Sequence, residues 1–399
     1  MKYLAGYLTA LILGAITWAL GQLAARYSAL VDMIYPYVTR TVQDALAQWS
    51  SGVDFCLWQL FLMLIILGVA AALVMVITMH WKPIRLCGWV LAFFSFLMLM
   101  NTLLFGLNAH AGTIANDIRM DVYGYTVDEL VDAAEYYRDQ ANALAVQMER
   151  DKDGDLVYSD FDTLASQAGN GFENLVQERS FSIFAGTTVP VKKLGWSGIY
   201  NAMGVTGMTV GLTGEAAVNA KIPAVSLPFT MCREMAHRMC ILTQGGSEFA
   251  AFLAASANES LEFQYSAYYM AYRYCIDALN NADSKDARAA AKTVAESVCE
   301  ELKHDLDAYE RFFRKHLDEK ATRLAQTANN TYLKVSGEAA EINSVSDLLV
   351  SWHYQQIVLP TITEEEITFD PKDETQVDLT TTQVPPETEP TTEEATEGE

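Results

Sequence analysis

Residues 55–79 read FCLWQLFLMLIILGVAAALVMVITM, 25 positions without a charged side chain. About 20 apolar residues cross ~30 Å of hydrocarbon at ~1.5 Å per residue, so this run is long enough to span a bilayer. Two further runs behave alike. Residues 3–25 are uncharged over 23 positions and residues 86–109 over 24. Three such runs within the first 110 residues mark a membrane region rather than three buried helices of a water-soluble core. For the first run a cleaved signal peptide is the alternative, with Lys2 ahead of it and small residues near Ala25. Its apolar stretch exceeds the ~7–15 residues of a signal core, however.

Working outward, the short connections carry the orientation. Residues 80–85, HWKPIR, hold two fixed positive charges and no acid, whereas residues 26–54 hold two bases and three acids. Positive charge is retained on the cytoplasmic side. Three spans then predict a cytoplasmic N-terminus, a multi-pass anchor in the cell membrane and an extracytoplasmic C-terminal domain. Trp18, Trp58, Trp81 and Trp89 lie toward span ends, where amphipathic rings prefer to sit.

The formal net charge of −23 sits beside a hydrophobic fraction of 51% because the two are segregated. Residues 1–110 carry five bases and three acids, and residues 363–399 carry 13 acids and one base. The Thr/Pro/Glu-rich terminal segment has too little apolar surface to offset the entropy of ordering, and it is expected to be disordered. The expected architecture is therefore a three-span anchor of transmembrane α-helices (1–110), an α+β, mostly helical domain (111–362) and an acidic tail (363–399). No basic stripe exists to neutralise phosphates, so nucleic acid is not an expected partner. The lipid bilayer is.

Within the domain, 127–150 has helical apolar spacing, 180–227 reads as short strands and turns, and 228–355 is dominated by helices. A break at Gly245–Gly246 is expected before a helix from about Ser247, followed by helices over 259–281, 286–318 and 319–336. The segment DKDGDLVYSDFD (151–162) places Asp151, Asp153 and Asp155 at calcium-loop positions. Leu156 stands where the loop needs Gly and Asp162 where it needs Glu, so a solvated acidic turn is favoured. The six cysteines form no disulfide framework. Cys232 and Cys240 would be about 12 Å apart on one helix at ~1.5 Å per residue, too far to bridge. A bridge from that helix to Cys275 or Cys299 stays open beside the simpler reading of small buried side chains.

The segment PFTMCREMAHRMCILTQGGSEFAAFLAA (228–255) bears most directly on chemistry. Glu234 and His237 form E-x-x-H. In zinc peptidases a second His stands one position before the Glu, so that two imidazoles four residues apart converge on one ion while the Glu takes a proton from the bound water. Here that position is Arg233. A guanidinium offers no lone pair and stays protonated. By spacing alone, E-x-x-H is also compatible with a structural histidine. Residual zinc on His237, Cys240 and Glu248 is a competing reading.

The blocks GVTGMTVGLTGEAAVNAKIP (204–223), LPFTMCREMAH (227–237), FAAFLAA (249–255) and YSAYYMAYRY (265–274), with FGLN at 105–108, resemble a bacterial membrane family of unknown function. Its members have three N-terminal spans and an extracytoplasmic domain similar to zinc metallopeptidases. Thr213, Gly214, Glu215, Val218 and Asn219 match a T-G-E-A-x-V-N block. Pro228, Phe229, Cys232, Glu234, Ala236 and His237 match P-F-x-x-C-H-E-x-A-H. The ligand-like Glu of a third block, E-A-x-F-x-A-x-L, falls on Gly246, with Glu248 two residues late. The resemblance implies a zincin-like scaffold with a vestigial general base (Glu234) and residual ligands (His237, Glu248). It leaves Arg233 in a vacated metal site, paired with Glu248 or Glu215, and places a groove edge at Thr213, Gly214, Glu215 and Asn219. The expected function is binding of a cell-envelope protein or peptide without a metal cofactor. The alternatives are an active zinc peptidase with an altered ligand set and a purely structural membrane protein.

Overall fold

The computed structural model describes residues 4–78, 82–186, 188–336 and 344–360. The tail at 363–399 and Trp81 lie outside the described residues. Helices α1 (Ala5–Arg26), α2 (Ser28–Ser50), α3 (Leu57–Thr78) and α4 (Pro83–Leu104) come first. Of these, α1, α3 and α4 are long and apolar enough to cross a membrane. Helix α4 starts three residues ahead of the third charge-free run because Pro83 sits in its first turn, where a missing N–H costs nothing. Helices α1 and α4 pack closely through Gly6 and Gly88. A Cβ on Gly6 would lie 2.5 Å from the Gly88 carbonyl carbon, so side-chain-free backbone is what lets the pair meet. By contrast, the most apolar window of α3 has no buried residue.

Helix α2 departs from the sequence reading, which treated 26–54 as a plain connection. Its buried face is Pro36, Thr39, Gln43, Ala47 and Ser50, at helical spacing but largely polar. That face is held by hydrogen bonds more than by grease, although Gln43 Oε1 is buried without a partner. The Tyr35 hydroxyl donates to the Thr102 carbonyl (2.9 Å), and Thr39 Oγ1 to Asn108 Oδ1 (3.0 Å). Gln43 Nε2 donates to the carbonyls of Leu104 (3.1 Å) and Gly211 (2.9 Å). The helix thus bridges the end of α4 and the domain.

The domain continues through α5 (Ile114–Asp117), α6 (Val127–Ala145), α7 (Phe161–Gln167), α8 (Asn170–Arg179), β1 (Lys192–Lys193), α9 (Ser197–Met203), β2 (Gly207–Val210) and β3 (Glu215–Val218). It is completed by α10 (Leu227–Arg238), α11 (Gln244–Ser256), α12 (Leu261–Asn281), α13 (Lys285–Glu296), α14 (Glu300–His316), α15 (Glu319–Ser336) and α16 (Val345–His353). Helix α6 begins with a reciprocal Thr126–Glu129 capping box. The small sheet has order β1-β3-β2, with β1 parallel and β2 antiparallel to β3. It packs on α10, which α11 and α12 also pack against. Tyr137, Phe229, Phe249, Phe263, Tyr265 and Tyr269 fill the core between these helices.

Two expected boundaries move. Gly245 and Gly246 lie in the first turn of α11 rather than in a break before it, which puts Glu248 well inside the helix. The expected helix over 286–318 is two, α13 and α14, interrupted at 297–299, where Cys299 caps α14 by accepting from the Leu302 N–H. The acidic segment at 151–155 is a self-bonded turn. Asp151 Oδ1 accepts from the N–H groups of Asp153 (2.9 Å) and Asp155 (3.0 Å). All six cysteines are free.

Candidate functional site

Helix α10 carries the E-x-x-H pair. Pro228 falls in its first turn, and Phe229, Met231, Cys232, Met235 and Ala236 are buried. This packing leaves Arg233 and His237 as the partly open residues of a buried helix. The Arg233 side chain is 18% exposed and that of Glu234 only 3%. The Arg233 guanidinium donates from Nη2 (2.8 Å) and Nε (3.2 Å) to Glu234 Oε1, and from Nη2 to Thr206 Oγ1 (3.0 Å). Glu234 Oε2 accepts from Thr209 Oγ1 at 3.0 Å. Both oxygens of the E-x-x-H carboxylate are therefore engaged. Strand β2 comes this close because residue 207 is glycine, where a Cβ would lie 2.6 Å from Glu234 Oε1.

Burial works against the Arg233 charge, but Glu234 and then Glu248 outweigh it and hold the guanidinium above its ordinary pKa. Burial pushes the His237 imidazole below its usual range, with Glu234 opposing and Arg233 assisting. His237 Nδ1 lies 2.9 Å from the Ile241 carbonyl. A carbonyl only accepts, so Nδ1 carries the proton and Nε2 keeps the lone pair. On α11, Glu248 is buried and accepts from Gln244 Nε2 at 2.5 Å. Burial, followed by the nearby Glu248 carboxylate, pushes the Tyr274 phenol well up.

Arg233 and Glu248 meet at a cavity of about 250 Å³, together with Thr206, Arg273, Tyr274 and Asp277. A second space of about 380 Å³ shares Arg273, Tyr309 and Phe313 with it. The Arg273 guanidinium lies 3.9 Å over the Tyr309 ring, a close cation–π contact. Arg273, Tyr274, Asp277 and Tyr309 escaped the sequence reading, which took 265–274 as a packed helix face. The available signal was Arg273 and Asp277, four residues apart on an otherwise apolar stretch.

Other expected site residues go elsewhere. Glu215, one expected partner of Arg233, is instead bonded to Lys192 Nζ (2.7 Å) and accepts from the N–H groups of Leu57 (2.8 Å) and Trp58 (2.9 Å) at the start of α3. Lys192 Nζ also donates to the carbonyls of Ser50 (2.7 Å) and Phe55 (3.1 Å). Thr213 is buried, Gly214 lies against Ala47 of α2, and the buried Asn219 donates to Asn201 Oδ1 at 2.5 Å. The expected groove edge is thus packed against α2, α3 and α9. Cys240 lines a separate cavity near α2. Among the described residues no three His, Cys, Asp or Glu side chains group as metal ligands would.

A family described as a protein of unknown function, DUF3810, matches residues 31–350, from within α2 to within α16. No curated protein and no solved structure matches the chain.

Proposed function

The chain belongs to the DUF3810 family, and on that premise we propose that it is a membrane-anchored binding protein in which a peptidase-like helix works without a catalytic metal. The observation that carries this reading is the Arg233–Glu234 ion pair at 2.8 Å. In an H-E-x-x-H helix the residue at 233 would offer an imidazole to zinc and the Glu would face the metal-bound water. Here the same place holds a fixed positive charge that already neutralises the carboxylate. A dication beside it would meet repulsion from Arg233 and a base whose two oxygens are engaged. A guanidinium flanked by Glu234 and Glu248 does electrostatically what a cation would, so the scaffold keeps its acidic residues without an ion.

The binding reading uses the cavity bordered by Arg233, Glu248, Arg273 and Asp277. Paired charges of both signs beside aromatic rings suit a peptide or a protein loop, which offers both signs itself. The positive segment at Lys82 and Arg85 supports a cytoplasmic N-terminus with the domain outside the membrane. The deciding experiment is elemental analysis of the full chain purified in detergent without chelator. Sub-stoichiometric zinc is expected, and one zinc per chain would overturn the reading.

A second reading, a peptidase with an altered ligand set, is favoured by one observation. The His237 tautomer leaves Nε2 unprotonated, as in metal-ligating histidines whose other nitrogen is held by a carbonyl. It requires that Glu234→Gln abolish a measurable proteolytic activity that co-purifies with the wild-type chain.

A further inference from the structure

A different cavity, of about 480 Å³, opens where the membrane helices meet the domain. Its walls come from the last turn of α1 (Ala25), one side of α2 (Ser28, Asp32, Arg40), the segment after α4 (His110, Gly112), α5 (Asp117) and the segment after α10 (Cys240). The end of α1, the start of α3 and the end of α4 all lie toward the domain; with these three helices taken as membrane spans, the cavity falls at the depth of lipid headgroups.

Three charges face one another there. Asp32 Oδ1 accepts from the Gly112 N–H at 2.7 Å, which fixes its carboxylate at the rim. Arg40 lines the cavity and donates from Nε to the Met239 carbonyl at 3.2 Å, a bond that does not use its terminal nitrogens. Asp117 lies within electrostatic reach of both. Burial pushes its carboxyl up to about 6, with Arg40 opposing and Asp32 adding a smaller upward push. Two acids against one guanidinium is an unbalanced set. A neighbouring group is also unbalanced, since His110 lines the same cavity, is buried, and has an Nε2 without a hydrogen-bond partner.

We propose that this cavity binds a phosphate ester bearing a primary ammonium, the chemistry of a phosphoethanolamine headgroup, with the phosphate on Arg40 and the ammonium between Asp32 and Asp117. A bare anion would leave the two carboxylates facing it. A bare cation would face Arg40, and the acids do not group as metal ligands. A ligand carrying both signs a few ångströms apart meets all three, and the His110 Nε2 supplies one further hydrogen bond. The volume falls within the ~300–1,000 Å³ of ordinary ligand pockets. Ala25, Ser28 and Ala29 make the α1–α2 wall of the cavity, and the proposed acyl chains would leave past these small side chains. This proposal is independent of the reading given to Arg233.

The test uses the full chain in detergent, presented with equal amounts of phosphatidylethanolamine, phosphatidylcholine and phosphatidylglycerol, with bound lipid read by native mass spectrometry. Phosphatidylethanolamine should be retained about tenfold over phosphatidylcholine, whose quaternary ammonium cannot donate hydrogen bonds to the two carboxylates. Asp117→Asn should remove that preference, Arg40→Gln should lower retention of both lipids alike because both carry the phosphate, and Asp54→Asn, outside the cavity, should change neither. Equal retention of the choline and ethanolamine lipids by the wild-type chain overturns the proposal without recourse to any variant, and so does an unchanged preference in Asp117→Asn. Free phosphoethanolamine is the last arm. If it displaces the bound lipid, the natural ligand class is the soluble ester, and if it does not, the class is the lipid. Either result upholds the assigned chemistry.

Discussion

Two buried ion pairs can be set side by side. Lys192–Glu215 joins the sheet to the membrane region, and Arg233–Glu234 borders a cavity in the domain. Each has a contact of 2.7–2.8 Å and a carboxylate side chain no more than 3% exposed. They differ in what else the carboxylate holds. Glu215 accepts two backbone N–H groups at the N-terminus of α3, where the helix dipole favours negative charge, and its lysine ties down two more carbonyls. All three ammonium protons and three carboxylate lone pairs there serve to join chain segments. Glu234 takes its cation from the adjacent residue, and that cation reaches a cavity and a second acid. The first pair is a joint between chain segments and the second borders a cavity. The lesson is that burial and distance alone do not separate the two roles. The range of segments that a pair connects does.

The sharpest way to break the comparison is to remove the cation of the joint. Lys192→Met should cost roughly 3–5 kcal/mol, because it strands a buried carboxylate. Denaturant unfolding of the full chain in detergent measures this, and a loss below ~1 kcal/mol would show that the α3 dipole alone suffices. The next contrast exchanges the cation for a metal ligand. Arg233→His restores two imidazoles around Glu234 and should raise zinc toward one per chain, whereas Lys192→His should leave zinc at background. Elemental analysis of both variants decides it, and zinc in neither would mean that the scaffold around Glu234 is not built for an ion.

A smaller effect concerns pH. His237 has a folded pKa below its unfolded value of about 6.5. The unfolded chain therefore binds the proton first, and the stability that His237 supports is present above ~6.5 and lost as pH falls through that value toward the folded pKa. His237→Gln should flatten the stability change between pH 7 and pH 5, measured as the shift in urea midpoint. An unchanged slope would assign acid sensitivity elsewhere, with the buried His353, also lowered by burial, as the next group to test. The smallest expected effect is that of Thr209→Val, which removes one hydroxyl donor from Glu234 at about 1 kcal/mol. It should leave lipid binding untouched.

Much of this was legible in the chain. The charge-free runs mark α1, α3 and α4 to within a few residues, and α10 was visible as the helix bearing Glu234 and His237. Helix α2 was not, because its buried face is made of Thr, Gln, Ser and Pro, whose partners are carbonyls on other segments. The interruption between α13 and α14 was missed because Ser297–Cys299 contains neither Gly nor Pro. The matching block Thr213–Asn219 was read as a groove edge since its neighbour, the E-x-x-H block, looked like a site. The packed helices α2 and α3 put it instead at the membrane joint.

By itself the sequence determined which three helices are long and apolar enough to cross a membrane, because hydrocarbon excludes charge over a full span, and that Arg233, Glu234 and His237 share one helix. Only the tertiary structure decided which of the two glutamates joins distant segments and which pairs with an arginine at a cavity. Glu215 is held by amides 157 and 158 residues away and Glu234 by a hydroxyl 25 residues away. The role of a buried carboxylate is set by the donors that folding brings to its lone pairs, and no local spacing encodes them.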